Sequence, residues 1–388
     1  MIDFLWLLLP VAAASGWFAA QRSSRLKSTS STFNLSSDYF KGLNYLLNEQ
    51  PDKAIDIFVK LIDVDSDTVE THLALGALFR RRGEVDRAIR IHQNLIARTT
   101  LSAQQRALAV VELAQDYRRS GLLDRAETLF IELTQSLDYQ IYAYRQLLDV
   151  YQQEHEWEKA IQTASELSKA SGENVKSLIA HYYCEIAETA RHQGLRDQAI
   201  QAIQKALVTD NHSVRASLLE GKLALDTGDK KAAIKAFRRI ERQDATYLSE
   251  VIAPLKQCYQ DINREGEFKK FLQYVLERYG GITPMLVLAN MLQDETSEQQ
   301  AADFIVKQLH KRPSIRGLDH LLDLALSRSG NITYEHLLLL KDITKQLLKN
   351  KPVYKCHHCG FTGKTLHWQC PSCKQWNTIK PIQGIEGE

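Results

Sequence analysis

A phrase of the form Gly-x-x-x-x-Ala-Ile returns along this 388-residue chain at a spacing that leaves few folds open. It stands at Gly83 to Ile89, Gly121 to Ala126, Gly194 to Ile200 and Gly228 to Ile234, with degenerate copies ending at Ala54-Ile55 and Ala160-Ile161. The alanines Ala54, Ala88, Ala126, Ala160, Ala199 and Ala233 lie 34, 38, 34, 39 and 34 residues apart. A second register runs with the first. Twelve residues before each alanine stand Gly42, Gly76, Ala114, Leu148, Ala187 and Gly221; nine before the first four stand Tyr45, Phe79, Tyr117 and Tyr151. A period of 34 residues, lengthened at times by about one helical turn, is that of a helix-turn-helix unit stacked on copies of itself. Small residues let the paired helices approach closely, and aromatic rings fill the groove between neighbours. These residues are core. Binding positions fall instead to the variable residues on the first helix of each unit.

Weaker units continue the series at Gly266 to Phe271, at Ala301-Ala302, and from Gly330 through Leu348. From Asp38 to Lys351 only Pro51, Pro254, Pro284 and Pro313 interrupt the helical texture, and no strand alternation persists. The period therefore predicts an all-α solenoid of about nine tetratricopeptide repeats over residues 35–350.

Four of the six cysteines lie in the last 35 residues, as Cys356-x-x-Cys359, a ten-residue gap, and Cys370-x-x-Cys373. Two such turns present two pairs of thiolates to one ion and close a tetrahedral all-sulfur site. Gly360 allows the backbone twist of a metal knuckle, and Pro371 stiffens the second turn. His357, His358 and His367 lie near these turns, but four thiolates already complete a closed site. Residues 351–388 are read as a rubredoxin-like or zinc-ribbon domain binding one metal ion per chain. Structural zinc and rubredoxin-type iron both suit an all-sulfur tetrahedron, although the ten-residue gap is nearer that of a zinc ribbon. Two disulfides would need an oxidising compartment.

The amino-terminal residues bear on that compartment. Phe4 to Ala20 is an uncharged run of 17 residues with Trp6 and Trp17 near its ends and Arg22, Arg25 and Lys27 just after it. Such a run is long enough to span a bilayer core, and the basic flank belongs on the cytoplasmic side. Ala12-Ala13-Ala14 resembles a cleavage motif, yet no basic residue precedes the run as a secretory leader requires. Residues 1–20 are expected to be a transmembrane anchor and the Ser/Thr-rich residues 21–34 a flexible linker, with the rest in the reducing cytosol. A net charge of +2 makes no whole-chain case for a polyanion partner. The tail alone is basic, with five lysines and no acidic residue from Lys351 to Pro381. Subtracting about two charges for an ion held by four thiolates leaves roughly +3 there, and solubilising surface lysines explain it equally well.

No phosphate loop, nucleophile elbow or His-Glu-x-x-His motif is present, which points away from an enzyme. Asp261, Asp294, Glu295 and the histidines at 72, 92, 155, 181, 192, 212, 310, 320 and 336 read as solvated faces or helix ends. Cys184 and Cys258 read as buried thiols.

Leu7 to Ala14, the phrase Arg82-Gly-Glu-Val-Asp-Arg-Ala-Ile-Arg-Ile-His92, and the tail from Cys356-His-His-Cys-Gly-Phe361 through Trp376 to Ile382 resemble the lipopolysaccharide assembly protein B family over essentially the full chain. That resemblance implies a bacterial inner-membrane protein, single-pass and mostly cytoplasmic. It implies an adaptor binding the membrane AAA-type metalloprotease and other lipopolysaccharide assembly proteins, and promoting turnover of the deacetylase that commits precursor to lipid A. It also implies a rubredoxin-type iron domain whose ligands map to Cys356, Cys359, Cys370 and Cys373. From the residues themselves three classes remain: a membrane scaffold, an iron redox protein, and a nucleic-acid-binding ribbon, the last disfavoured by the near-neutral charge. The short, Pro352-stiffened connection predicts that the tail docks on the last repeats, with Phe361, Trp368 and Trp376 supplying an apolar face.

Overall fold

The computed structural model describes residues 69–99, 101–327, 333–349, 351–385, 387 and 388, with scattered positions between 40 and 57. The expected anchor at 1–20 and linker at 21–34 lie outside the described residues. The chain divides into two compact units, Met1–Ala143 and Tyr144–Glu388, and each is described by itself.

In the first unit, α1 (Val69–Arg82) pairs with α2 (Val85–Ile96), and α3 (Ala103–Ser120) with α4 (Leu123–Leu133). The division falls within α5 (Gln140–Glu154). The second unit continues with α6 (Trp157–Ser171), α7 (Lys176–His192), α8 (Arg196–Thr209), α9 (Val214–Asp226) and α10 (Lys230–Gln243). A 3-10 turn (Ala245–Tyr247) leads into α11 (Leu248–Asp261), α12 (Glu265–Arg278), α13 (Ile282–Glu295), α14 (Glu298–Lys311), α15 (Ile315–Leu326) and α16 (Thr333–Lys349). Three short strands close the chain: β1 (Tyr354–Cys356), β2 (Thr362–Gly363) and β3 (Ile379–Pro381).

The registers seen in the sequence have direct physical counterparts. All six phrase alanines have zero exposure. A Cβ added to Gly76 on α1 would come within 2.3 Å of the His92 ring on α2, and one added to Gly221 on α9 within 2.3 Å of the Phe237 ring on α10. The helices of a pair thus meet where one side chain is missing. Gly83, Gly121, Gly194 and Gly228 end their helices with φ between +75° and +87°, the left-handed region open to glycine. In the degenerate copy His155 holds that conformation, with φ +58°.

One recurrence lies outside the registers first read. The residue just before the alanine is a cation over the aromatic ring eight residues earlier: Lys53 on Tyr45, Arg87 on Phe79, Arg125 on Tyr117 and Lys159 on Tyr151, at 5.4–5.6 Å.

The histidines do not all lie on solvated faces. His155, His192, His212 and His310 are exposed as expected, but His72 and His181 are buried and His92 has zero exposure. Gly76 leaves room for the His92 ring, and Asp116 Oδ2 takes its Nδ1 at 2.5 Å while Arg80 bridges Asp116 and Glu112. A buried charge is tolerable when paired in this way, so Asp116 keeps its place in the core. Cys184 and Cys258 are buried thiols, and burial pushes Cys184 up to about 12.

In the second unit a core cluster runs from Val214 to Met291 through Phe237, Tyr247, Ile252, Leu255, Tyr259 and Phe268. Leu366 and Trp368, from the far end of the chain, pack against it.

Candidate metal centre

β1 is the middle strand of an antiparallel sheet in the order β2-β1-β3, with Cys356 opposite Ile379 and Lys355 opposite both Thr362 and Lys380. Each Cys-x-x-Cys forms the same tight turn. In the first, the Gly360 N–H donates to Cys356 O at 3.0 Å and the Cys356 N–H to Phe361 O at 2.7 Å. In the second, the Lys374 N–H donates to Cys370 O and the Cys370 N–H to Gln375 O, both at 2.9 Å. The residue after each pair has positive φ, +81° at Gly360 and +59° at Lys374. The glycine of the first knuckle was legible in the sequence. Its lysine counterpart was not, because a lysine rarely adopts this conformation.

The two knuckles bring all four sulfurs together, every pair within 4.8 Å. Cys356 Sγ lies 3.8 Å from Cys373 Sγ, and Cys359 Sγ lies 3.7 Å from Cys370 Sγ. A tetrahedron of thiolates about 2.3 Å from a central ion has edges of about 3.8 Å, so the donor set fits such an ion and not a disulfide. Cys356 and Cys370 are buried, whereas Cys359 is exposed. For Cys356, burial works upward but is outweighed. The Thr378 hydroxyl, 3.3 Å from the sulfur, and nearby backbone amides bring its thiol down to about 5. Cys373 behaves oppositely: the Gln375 amide favours its thiolate, but burial and the three neighbouring sulfurs push it up to about 12. Four sulfurs this close cannot all be anionic without a cation among them. His357, His358 and His367 are exposed and stand outside the sulfur cluster.

The tail docks, but not where the short connection suggested. Trp376 donates from Nε1 to Gln152 Oε1 on α5 at 2.7 Å, stacks on His181 of α7 at 5.2 Å, and meets Trp157 and Tyr182 edge-on. Trp368 stacks on Tyr247 at 5.5 Å. The Tyr247 hydroxyl donates to Ile379 O at 2.9 Å, the Tyr354 hydroxyl to Glu250 at 2.7 Å, and Lys380 pairs with Asp244 at 2.7 Å. The seat is therefore formed by residues 152–250, not by the last repeats. Among the described residues those repeats receive chiefly the chain's final residues: Glu388 accepts from Thr283 N–H at 3.0 Å and pairs with Arg316. The physical reason lies in the partners available. Rings from α6, α7 and the turn before α11 make an aromatic socket, whereas α16 gives the Lys364 ammonium of the tail a main-chain oxygen, that of Lys349. Phe361 takes no part in the seat; it packs in the tail's own small core with Tyr354, Ile379 and the buried cysteines.

Two residues of the seat were missed in the sequence. His181 is held well below its usual value, at about 3, first by burial and then by the Arg215 charge, so the ring is neutral. Arg215 is 4% exposed, lies within about 6 Å of both indole centroids, and pairs with Glu185 at 2.8 Å and Glu188 at 2.6 Å. Only the spacing of Glu185 and Glu188 on one helix face hinted at a shared cation.

Comparison with known proteins agrees with this architecture. The family described as "Rubredoxin metal binding domain" matches residues 354–381, and tetratricopeptide repeat families match 71–107 and 184–247. Lipopolysaccharide assembly protein B of Escherichia coli (strain K12) is 40% identical over 388 residues, covering 100% of both chains. The protein so named in Haemophilus influenzae (strain ATCC 51907 / DSM 11121 / KW20 / Rd) is 35% identical over 398 residues, again covering both chains completely.

Proposed function

Because the chain belongs to the lipopolysaccharide assembly protein B family, we propose that it is a non-enzymatic adaptor that regulates lipopolysaccharide synthesis at the bacterial inner membrane. Residues 4–20 hold it there as a single span, with the repeats and metal domain on the cytoplasmic side. No described helix is long and apolar enough to cross a membrane, and the proposed span lies outside the described residues. The repeats gather protein partners: the membrane AAA-type metalloprotease, the deacetylase committing precursor to lipid A, and other assembly proteins. Holding protease and deacetylase together raises their effective concentration, so turnover quickens with no chemistry by the adaptor.

The metal domain serves as a staple. Cys356, Cys359, Cys370 and Cys373 hold one ion, zinc or rubredoxin-type iron, which stabilises a tail too small to stand on its own core. The observation that supports this reading most is the seating of Trp368 and Trp376 on the repeats, which joins the metal site to the helices that would carry partners. The test measures the half-life of the deacetylase in cells with and without this protein, together with co-purification of the protease from solubilised membranes. A longer half-life on deletion and recovery of both partners with the intact chain are expected. An unchanged half-life, or neither partner recovered, rejects the reading.

A further inference from the structure

Beside the seated tail a cleft of about 430 Å³ remains open. Its volume lies in the range of about 300–1,000 Å³ found for binding pockets. One wall is the tail segment 366–369; the others come from α7, α9 and the start of α11. Three carboxylates line it, Glu185, Glu188 and Glu250, against two cations, Arg215 and Lys222. The Arg215 charge is already engaged deep in the wall by Glu185 and Glu188. Each of these glutamates keeps a second oxygen, and Glu250 offers the one not taken by the Tyr354 hydroxyl. Lys222 is exposed and has no charged partner among the described residues. Taken together, the lining carries a net charge of about −1, with the negative charge inward and the free ammonium outward.

The remaining wall is apolar. Leu218 and Leu219 are nearly fully buried at its back, and Leu366 and Trp368 stand opposite. Charge complementarity names the occupant: Arg215 is 96% buried and its guanidinium is spent on Glu185 and Glu188, so the surplus negative charge of the lining faces the cleft without a cation of its own.

We propose that this cleft receives a lysine or arginine side chain from an extended partner segment. The alkyl stem lies along Leu218, Leu366 and Trp368 while the cationic head reaches the three carboxylates. Lys222 then faces an acidic neighbour in the same segment. The inference deepens the adaptor reading and rests on it, since it names the chemistry by which these first helices hold a protein partner.

The experiment titrates the full-length, metal-loaded chain in detergent with two capped hexapeptides of Ala and Ser that differ only in a central Arg or Glu, followed by calorimetry. The Arg peptide is expected to bind and the Glu peptide not to. Glu188→Gln or Glu250→Gln should weaken the Arg peptide about tenfold. Lys222→Glu changes an exposed side chain and should tighten Arg-peptide binding several-fold, which keeps the test decisive if the other variants fold poorly. Absence of Arg-peptide binding, equal or tighter binding of the Glu peptide, or indifference to Lys222→Glu overturns the proposal. Should the deacetylase half-life still depend on the protein in that case, the adaptor reading stands and only the cleft assignment falls.

Discussion

At single positions the controlling quantity is the space around one Cβ atom. Gly221 faces the Phe237 ring so closely that Gly221→Ala must displace a fully buried aromatic, and such overpacking costs about 1–3 kcal/mol. Denaturant unfolding of that variant, with and without Phe237→Leu to make room, should show the loss and its partial recovery. Gly121 has nothing within 4 Å, so Gly121→Ala isolates the cost of a left-handed backbone, about 1–2 kcal/mol. His181 adds a pH dependence. Its folded value of about 3 lies below the unfolded 6.5, so between those values the unfolded chain binds the extra proton and stability falls as pH drops. Acidifying from pH 7 to 5 should cost about 1–2 kcal/mol through this group. The groups facing it are the Arg215 cation and the rings of Trp368 and Trp376, none of which titrates in that window. Comparing the stability of His181→Phe with the wild type at both pH values isolates the effect from acid loss of the metal. Equal slopes for the two proteins would remove His181 as the cause.

At the level of elements, the knuckles and helix pairs differ in what sustains them. A repeat pair buries its alanine, glycine and aromatic registers against its own partner helix, whereas the tail holds only a few core residues, Tyr354, Cys356, Cys370 and Ile379 among them. Cys356→Ser should therefore release the ion and unfold the tail, leaving most far-ultraviolet helical signal intact. Elemental analysis of the wild type should give about one zinc or iron per chain. Hydrogen exchange then reports where the tail sits. On loss of the metal, protection should fall in 176–192 and 214–261, the helices bearing His181, Arg215 and Glu250, and much less in 333–349. The reverse pattern would contradict the seat described above. Much of this element-level structure was legible in the sequence, because Gly42 to Ala54 and its later counterparts are local patterns whose meaning does not depend on distant residues. The convergence of two Cys-x-x-Cys turns was legible for the same reason. The seat was not: Trp368 and Trp376 announce an apolar face, but nothing in their neighbourhood says that Gln152, His181 and Tyr247 receive it. Buried His92 escaped for a similar reason, since its partner Asp116 lies on the following helix pair.

For the whole molecule, the proposed anchor and the tail set where and in what state the chain works. A phosphatase or fluorescent-protein fusion after Glu388 checks the topology: a bright fluorophore with low phosphatase activity is expected, and the opposite result would place the four thiols in an oxidising compartment. The hydrogen bond from Trp376 to Gln152 spans 224 residues of chain. During synthesis at about 5–20 residues per second, α5 through α7 leave the ribosome some 10–45 s before the indole that covers them exists. For that interval Trp157, His181 and the Arg215 cluster stand uncovered, although the helix pairs around them form from local contacts alone. A chain interrupted before residue 351 never closes this face. Nascent and truncated forms of the protein are therefore the ones that chaperones and proteases meet with an aromatic socket open, and the arrival of the last 38 residues is the event that hides it.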